Sequence, residues 1–293
     1  MAATYLKLLL MAFFWGGTFI TGRVLAQSVG PFSGAFLRFA VASVCLTAIM
    51  LKMERHPVRP TGRHLALLLL MGLTGIFAYN VLFLKGLKLI EAGRASIIIA
   101  NNPIGIALMA VVFFGERLNI LKVAGILVSV AGAIIVIMRG EASALLTGGF
   151  GRGELYILGC VASWVAYSLL GKLVMSRLSP LAAVTFSSAA GTLCLFPAAL
   201  MDGLLDADSY PLAAWGSIVY LGFFGTVLGF VWYYQGIQRI GPVRAGLFIN
   251  FVPVFAVLLS VLLLGEPLTL SLVAGAALVC TGVCLTTLGA YRS

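Results

Sequence analysis

The chain has 293 residues, 61% of them hydrophobic and only 10% charged, and 19 Lys and Arg against 9 Asp and Glu give a formal charge of +10. Soluble domains carry roughly 25% charged residues, so this composition excludes an ordinary core wrapped in a polar surface. The basic excess is scattered over short connections instead of forming a stripe on a soluble domain, which excludes nucleic acid as a partner.

Breaks at charges, Gly and Pro delimit segments at 5–25, 32–51, 64–84, 94–114, 119–138, 153–174, 180–201, 212–238, 243–264 and 269–290. Each reaches or approaches the roughly 20 residues that a helix needs to cross a bilayer. The expected fold class is therefore an all-α polytopic membrane protein with about ten transmembrane helices. The first segment imitates a secretory leader, since Lys7 precedes an apolar run and Val24-Leu25-Ala26 resembles a cleavage site. Its Trp15-Gly16-Gly17-Thr18 has a counterpart deep in the chain, so it is expected to stay as a helix. All five cysteines, Cys45, Cys160, Cys194, Cys280 and Cys284, fall inside apolar runs without metal-ligand or Cys-x-x-Cys spacing, so no metal or disulfide is expected.

The chain repeats itself. At an offset of 150 residues Gly75 meets Gly225, Arg94 meets Arg244, Pro103 meets Pro253 and Glu116 meets Glu266; at 149, Trp15 meets Trp164, Pro31 meets Pro180 and Cys45 meets Cys194. Two units follow, 1–146 and 147–293, each with five segments. An odd number of crossings makes the second unit enter the membrane from the opposite side, and paired inverted units suit a site that opens alternately to each face. Basic residues favour the connections that a cytoplasmic N-terminus places inside, among them Lys52, Arg55, Arg59, Arg63, Arg117, Lys172 and Arg239, so both termini are expected in the cytoplasm. Lys85, Lys88 and Arg94 run against that count.

Polar and aromatic groups in such apolar segments mark candidate sites. In chain order, Trp15 and Thr18 share one face of the first segment with Gly22. Arg38 stands alone in the second, a candidate charge contact for a carboxylate or a cap for helix ends; its repeat partner is Ser187. The third carries Tyr79, Asn80 and Phe83. The fourth holds Asn101 and Asn102 ahead of Pro103, and the ninth Asn250 ahead of Pro253, where each proline is expected to bend its helix and free a carbonyl. Trp164, Tyr167 and Ser168 repeat the first segment's face in the sixth, and the eighth carries Trp232, Tyr233, Tyr234 and Gln235. Rings would form apolar walls, and Thr18, Asn80, Asn101, Ser168 and Asn250 would supply polar contacts. Helix packing and an interfacial aromatic belt compete with that reading.

Gly125 and Gly132 in the fifth segment and Gly275 and Gly282 in the tenth put small residues on one face, which suits close packing within one bundle or between the copies of a homodimer. The acids nearest the segments are Glu116 and Glu266 at turns, so a carboxylate proton relay has no seat and uniport or exchange is favoured. No Gly-x4-Gly-Lys-Ser/Thr sequence or other cofactor motif occurs. The glycine-rich 148–154 reads as a linker. No Ser-His, His-Glu or paired-Asp arrangement supports an enzyme.

Trp15-Gly16-Gly17-Thr18-Phe19, Pro31, Arg38-Phe39, the prolines of the fourth and ninth segments and the Gly-Glu-x-Leu turns at Gly115 and Gly265 together resemble the ten-helix drug/metabolite transporter superfamily of the EamA type, within it the bacterial aromatic amino-acid exporters. The resemblance implies two inverted five-helix repeats around a central cavity, a small-molecule substrate, no cofactor and a place in the bacterial cytoplasmic membrane. The implied function is export of aromatic or other neutral amino acids; a multidrug or nucleotide-sugar carrier and, from another class, a non-transporting membrane receptor or enzyme are the alternatives. Ser187 departs from the arginine of the first repeat, so no role passes from Arg38 to the second half.

Overall fold

The structure is a computed structural model that describes residues 2–54, 60–115, 119–139 and 151–291. Among these, ten helices are long and apolar enough to cross a membrane: α1 Ala2–Ser28, α2 Pro31–Met53, α3 Gly62–Leu89, α4 Ala92–Phe113, α5 Ile120–Ile137, α6 Arg152–Val174, α7 Pro180–Leu200, α8 Leu212–Ile240, α9 Arg244–Leu264 and α10 Leu270–Gly289. No strand occurs among the described residues. Arg55, Arg59, Glu116, Arg117, Arg292 and the start of the glycine-rich linker lie outside them.

The third helix runs five residues past its expected end at 84, through Lys85 and Lys88. Charge alone does not stop a helix whose lysines find partners. The Lys85 ammonium lies 5.2 Å from the ring centre of Phe32 and 5.9 Å from that of Tyr156, an attraction available to a cation over an aromatic face.

Two features of α3 and α8 escaped the sequence reading. Residues Gly72–Ala78 and Tyr220–Leu228 are wound as π-helix, the wider i→i+5 spiral that loosens one turn and leaves a carbonyl short of its usual partner. Side chains make up the deficit. Asn80 donates its amide to the carbonyls of Gly75 (3.2 Å) and Ile76 (2.8 Å), and Thr226 donates its hydroxyl to Leu221 (3.0 Å). Arg38 of α2 reaches both segments. Its Nη1 donates to Asn80 Oδ1 at 2.9 Å, and its Nη2 to Thr226 Oγ1 at 3.2 Å and the Leu221 carbonyl at 3.4 Å. The guanidinium also lies 4.9 Å from the Phe39 ring centre. It has no carboxylate partner among the described residues, so neutral oxygens and a ring offset the cost of keeping it in a span.

Helix α4 is interrupted at Ala100 and Asn101, between Ala92–Ile99 and Asn102–Phe114. In α9 a 3-10 turn, Phe248–Asn250, precedes Phe251–Leu264. Pro103 and Pro253 both fall in the first turn after the interruption, where a missing N–H costs nothing because no intrahelical acceptor awaits it. The second pieces end alike, with Gly115 and Gly265 both at φ 65°, ψ 24°, a left-handed end that glycine adopts without strain.

Packing joins the halves. Helices α2 and α7 lie antiparallel: Asp202, beyond the end of α7, accepts from the Phe32 and Ser33 amides at the start of α2 (2.7 and 3.2 Å), while Ser179 before α7 hydrogen-bonds Glu54 after α2. Helices α5 and α10 are also antiparallel and make the tightest seam. A Cβ on Gly282 would come within 2.4 Å of the Ser129 nitrogen and 2.5 Å of the Gly125 carbonyl, and one on Gly132 within 2.8 Å of the Gly275 carbonyl. The small-residue faces that suit either a bundle or a homodimer are thus consumed inside one chain.

Two outcomes follow for the purified protein in detergent. Gly282→Val, which drives a branched side chain into backbone, lowers thermal stability by at least about 1–3 kcal/mol, whereas Gly216→Ala, with nothing within 4 Å, leaves the melting temperature unchanged. Arg38→Met strands Asn80 and Thr226 and costs about 1–3 kcal/mol. Arg38→Lys does not restore it, because one ammonium cannot fork to both segments.

Candidate functional site

The π-segments shape what packs on them. Gly225 leaves room for the Thr18 methyl, whose carbon would lie 2.6 Å from an added Cβ, and its carbonyl accepts the Trp15 indole N–H at 2.8 Å. Gly75 makes the matching space for Tyr167, whose ring would lie 2.2 Å from an added Cβ. Gly229 gives way to Trp15 itself. These close approaches hold Trp15 of α1 against α8 and Tyr167 of α6 against α3.

A continuous set of rings results. Trp15 packs on Phe230 (centroids 5.6 Å apart) and Tyr233 (5.7 Å), Phe230 meets Trp164 at 6.4 Å and stacks on Tyr234 at 6.2 Å, and Trp164 packs on Tyr167 (5.3 Å) and Tyr79 (5.4 Å). Tyr79 stacks on Phe83, which is buried against Phe19. Trp15, Tyr79, Trp164, Phe230, Tyr233 and Tyr234 remain only half-buried, although four spans surround them. Among the described residues the Trp164 indole N–H and the hydroxyls of Tyr79, Tyr233 and Tyr234 make no hydrogen bond. An apolar wall with a few uncommitted donors is the usual chemistry of a small-molecule site.

Other expected contacts sit elsewhere. Thr18 donates to the Trp15 carbonyl at 2.6 Å and Ser168 to that of Trp164 at 2.7 Å, so both hydroxyls serve their own helices. Asn80 is 2% exposed and is committed to Arg38 and the π-segment. Asn101 donates to the Ile97 and Ile98 carbonyls at the break in α4 and accepts from Ser129 of α5 at 2.7 Å. Asn250 donates to the Cys284 sulfur of α10 at 3.3 Å. Both asparagines therefore turn toward α5 and α10, not the ring wall.

Phe230 escaped the sequence reading, yet it is the ring that joins the two tryptophans. A strict offset of 150 pairs it with Asn80 and pairs Tyr79 with Gly229.

Charges gather at the end of the bundle that holds the α9–α10 turn. Glu266 accepts from the Ala92 and Gly93 amides at the start of α4 (2.8 and 3.0 Å), where a carboxylate meets unpaired N–H groups and the positive end of the helix dipole. Arg23 of α1 pairs with Glu266 at 3.4 Å and donates to the Ile90 carbonyl. Arg94 pairs with Glu154 at 2.9 Å and donates to the Ile137 carbonyl. Glu154 thus corrects the expectation that acids sit only at turns: it lies in the first turn of α6 and is buried, because Arg94 neutralises it. Among the described residues no group of three His, Cys, Asp or Glu side chains is placed to hold a metal.

Residues 2–138 and again 151–288 match the EamA-like transporter family. The chain is 30% identical over 289 residues to the uncharacterized transporter YyaM of Bacillus subtilis, covering 98% of this chain and 94% of that one. It is 32% identical over 265 residues to a probable terminal-alkyne amino-acid exporter of Streptantibioticus cattleyicolor, covering 89% and 86%. One solved structure superposes with a TM-score of 0.63 at 23% identity over 100% of this chain and 99% of that chain, a likeness of fold. With ten membrane-spanning helices and matches over both halves, the chain belongs to the EamA-like transporter family.

Proposed function

We propose that this transporter exports aromatic or other neutral amino acids across the bacterial cytoplasmic membrane by uniport or exchange, with both termini in the cytoplasm. The observation that carries the reading is the ring wall. Trp15, Tyr79, Trp164, Phe230 and Tyr234 bring α1 and α3 together with α6 and α8, and the free donors of Trp164, Tyr79 and Tyr234 sit among them. Such a surface favours a flat apolar side chain with acceptors at one end. The similarity to a probable amino-acid exporter supports the substrate class.

The proposed mechanism is alternating access between units 1–146 and 147–293 in inverted orientation. Its support is geometric: counterpart helices α2 and α7 lie antiparallel, as do α5 and α10, and π-segments and left-handed glycines recur at the same offset. Inversion is the relation that gives two nearly equal closures around one site. The ring wall carries no acid, which favours a neutral ligand without a carboxylate relay.

Liposomes preloaded with unlabelled phenylalanine accumulate labelled phenylalanine faster than empty or protein-free vesicles, with no pH gradient. If only organic cations or nucleotide sugars drive counterflow, the amino-acid reading is wrong. Trp164→Ala weakens phenylalanine binding about tenfold, equivalent to about 1.4 kcal/mol, and leaves the melting temperature near that of the parent. Asn101→Ala acts the other way: it frees carbonyls at the α4 break, lowers stability by about 1–3 kcal/mol and changes affinity little.

A further inference from the structure

Beside the charged end of the bundle lies a cleft of about 150 Å³ lined by Glu91, Arg94, Arg139, Glu266, Thr269 and Ser271, together with the apolar edges of Val136 and Leu272. Its charges are not all spoken for. Glu91 stands just before α4, where a carboxylate would ordinarily cap the first amides, yet it makes no cap bond because Glu266 has taken Ala92 and Gly93. Arg139, in a left-handed turn after α5 at φ 55°, has no ion pair or hydrogen bond through its side chain among the described residues. Arg94 is 4% exposed; its Nη2 is held by Glu154 and Ile137, but Nε and Nη1 are buried without any partner. Buried donors left unpaired cost about 1–3 kcal/mol each, so a shift of the guanidinium edge toward a ligand oxygen in the cleft would remove that cost.

We propose that this cleft is a second subsite that binds the zwitterionic head group of an amino acid, the carboxylate against Arg94 and Arg139 and the ammonium against Glu91. The inference rests on the amino-acid reading of the transporter and extends it away from the ring wall. A free carboxylate and a free guanidinium facing one small volume match a ligand with both charges and no net charge. A simple anion would leave Glu91 repelling it, and a simple cation would meet Arg139. The apolar lining is short, so this end selects the head group and not the side chain, the reverse of the ring-lined centre.

Glycine tests the subsite because it carries the head group and nothing for the rings to hold. Saturation-transfer NMR on the full chain in nanodiscs is expected to detect bound glycine, with acetate and methylammonium at least tenfold weaker. Glu91→Gln with Arg139→Gln abolishes the glycine signal, and Trp164→Ala leaves it intact. In equilibrium binding of labelled phenylalanine, the double variant loses the weaker of two classes of site and keeps the stronger. Glycine binding that survives the double variant, or acetate binding as tightly as glycine, overturns the proposal. A protein that counterflows phenylalanine yet shows no glycine signal also overturns the subsite while sparing the transport reading. Loss of both glycine binding and phenylalanine counterflow overturns both.

Discussion

The guanidinium of Arg38 is the fixed point from which the centre of the molecule takes its shape. Two π-segments, one in α3 and one in α8, each leave carbonyls that an α-helix would have satisfied. Asn80 and Thr226 cover those oxygens locally, and Arg38 then binds both residues at once. One cation therefore couples the geometry of the two segments, at a depth where an unpaired charge would be costly. The glycines of those segments admit Tyr167 and Thr18, and the Gly225 carbonyl orients Trp15. The ring wall is a consequence of that backbone arrangement.

The chain divides its electrostatics by depth. Its centre is neutral apart from Arg38, while the acids Glu91, Glu154, Glu266 and Asp202 stand near helix ends, two of them on backbone amides. Placing carboxylates there is physically economical, because helix N-termini present unpaired N–H groups and a favourable dipole. It also ties together the ends of α1, α4, α6 and α9, so that one end of the bundle is held by polar contacts and the middle by aromatic packing. The two regions answer to different physics and can respond differently to a ligand.

Much of the fold was legible because hydrophobic length and repeated Gly and Pro are strong signals in a membrane chain. Ten segments followed from them, and their limits erred mainly where charge was read as a stop, as at Lys85 and Lys88. Trp15 and Trp164 were legible as a matched pair because corresponding helical faces put an indole at the same position. The π-segments were not, since nothing in the spacing of Gly72 and Gly75 announces an i→i+5 turn. Nor were the hydrogen bonds of Asn80 and Arg38 to those segments, because side chains that satisfy irregular backbone carry the same residue types as side chains that bind substrate. Asn101 was ambiguous for the same reason, since its amide covers carbonyls at the break in α4, whereas Asn250 bonds the Cys284 sulfur of α10.

The π-segments also set a phase. Because each holds one residue more than the α-helical path requires, everything beyond it is turned by about 100° relative to an uninterrupted helix of about 3.6 residues per turn. Tyr79 and Phe230 lie just past these points, and their aim inward depends on that extra residue. Losing a single residue anywhere within Gly72–Ala78 or Tyr220–Leu228 would rotate the remainder of the helix and turn its aromatic face away from the centre, while leaving composition and span length almost unchanged. Chain length within those short stretches thus carries information that no individual side chain there does.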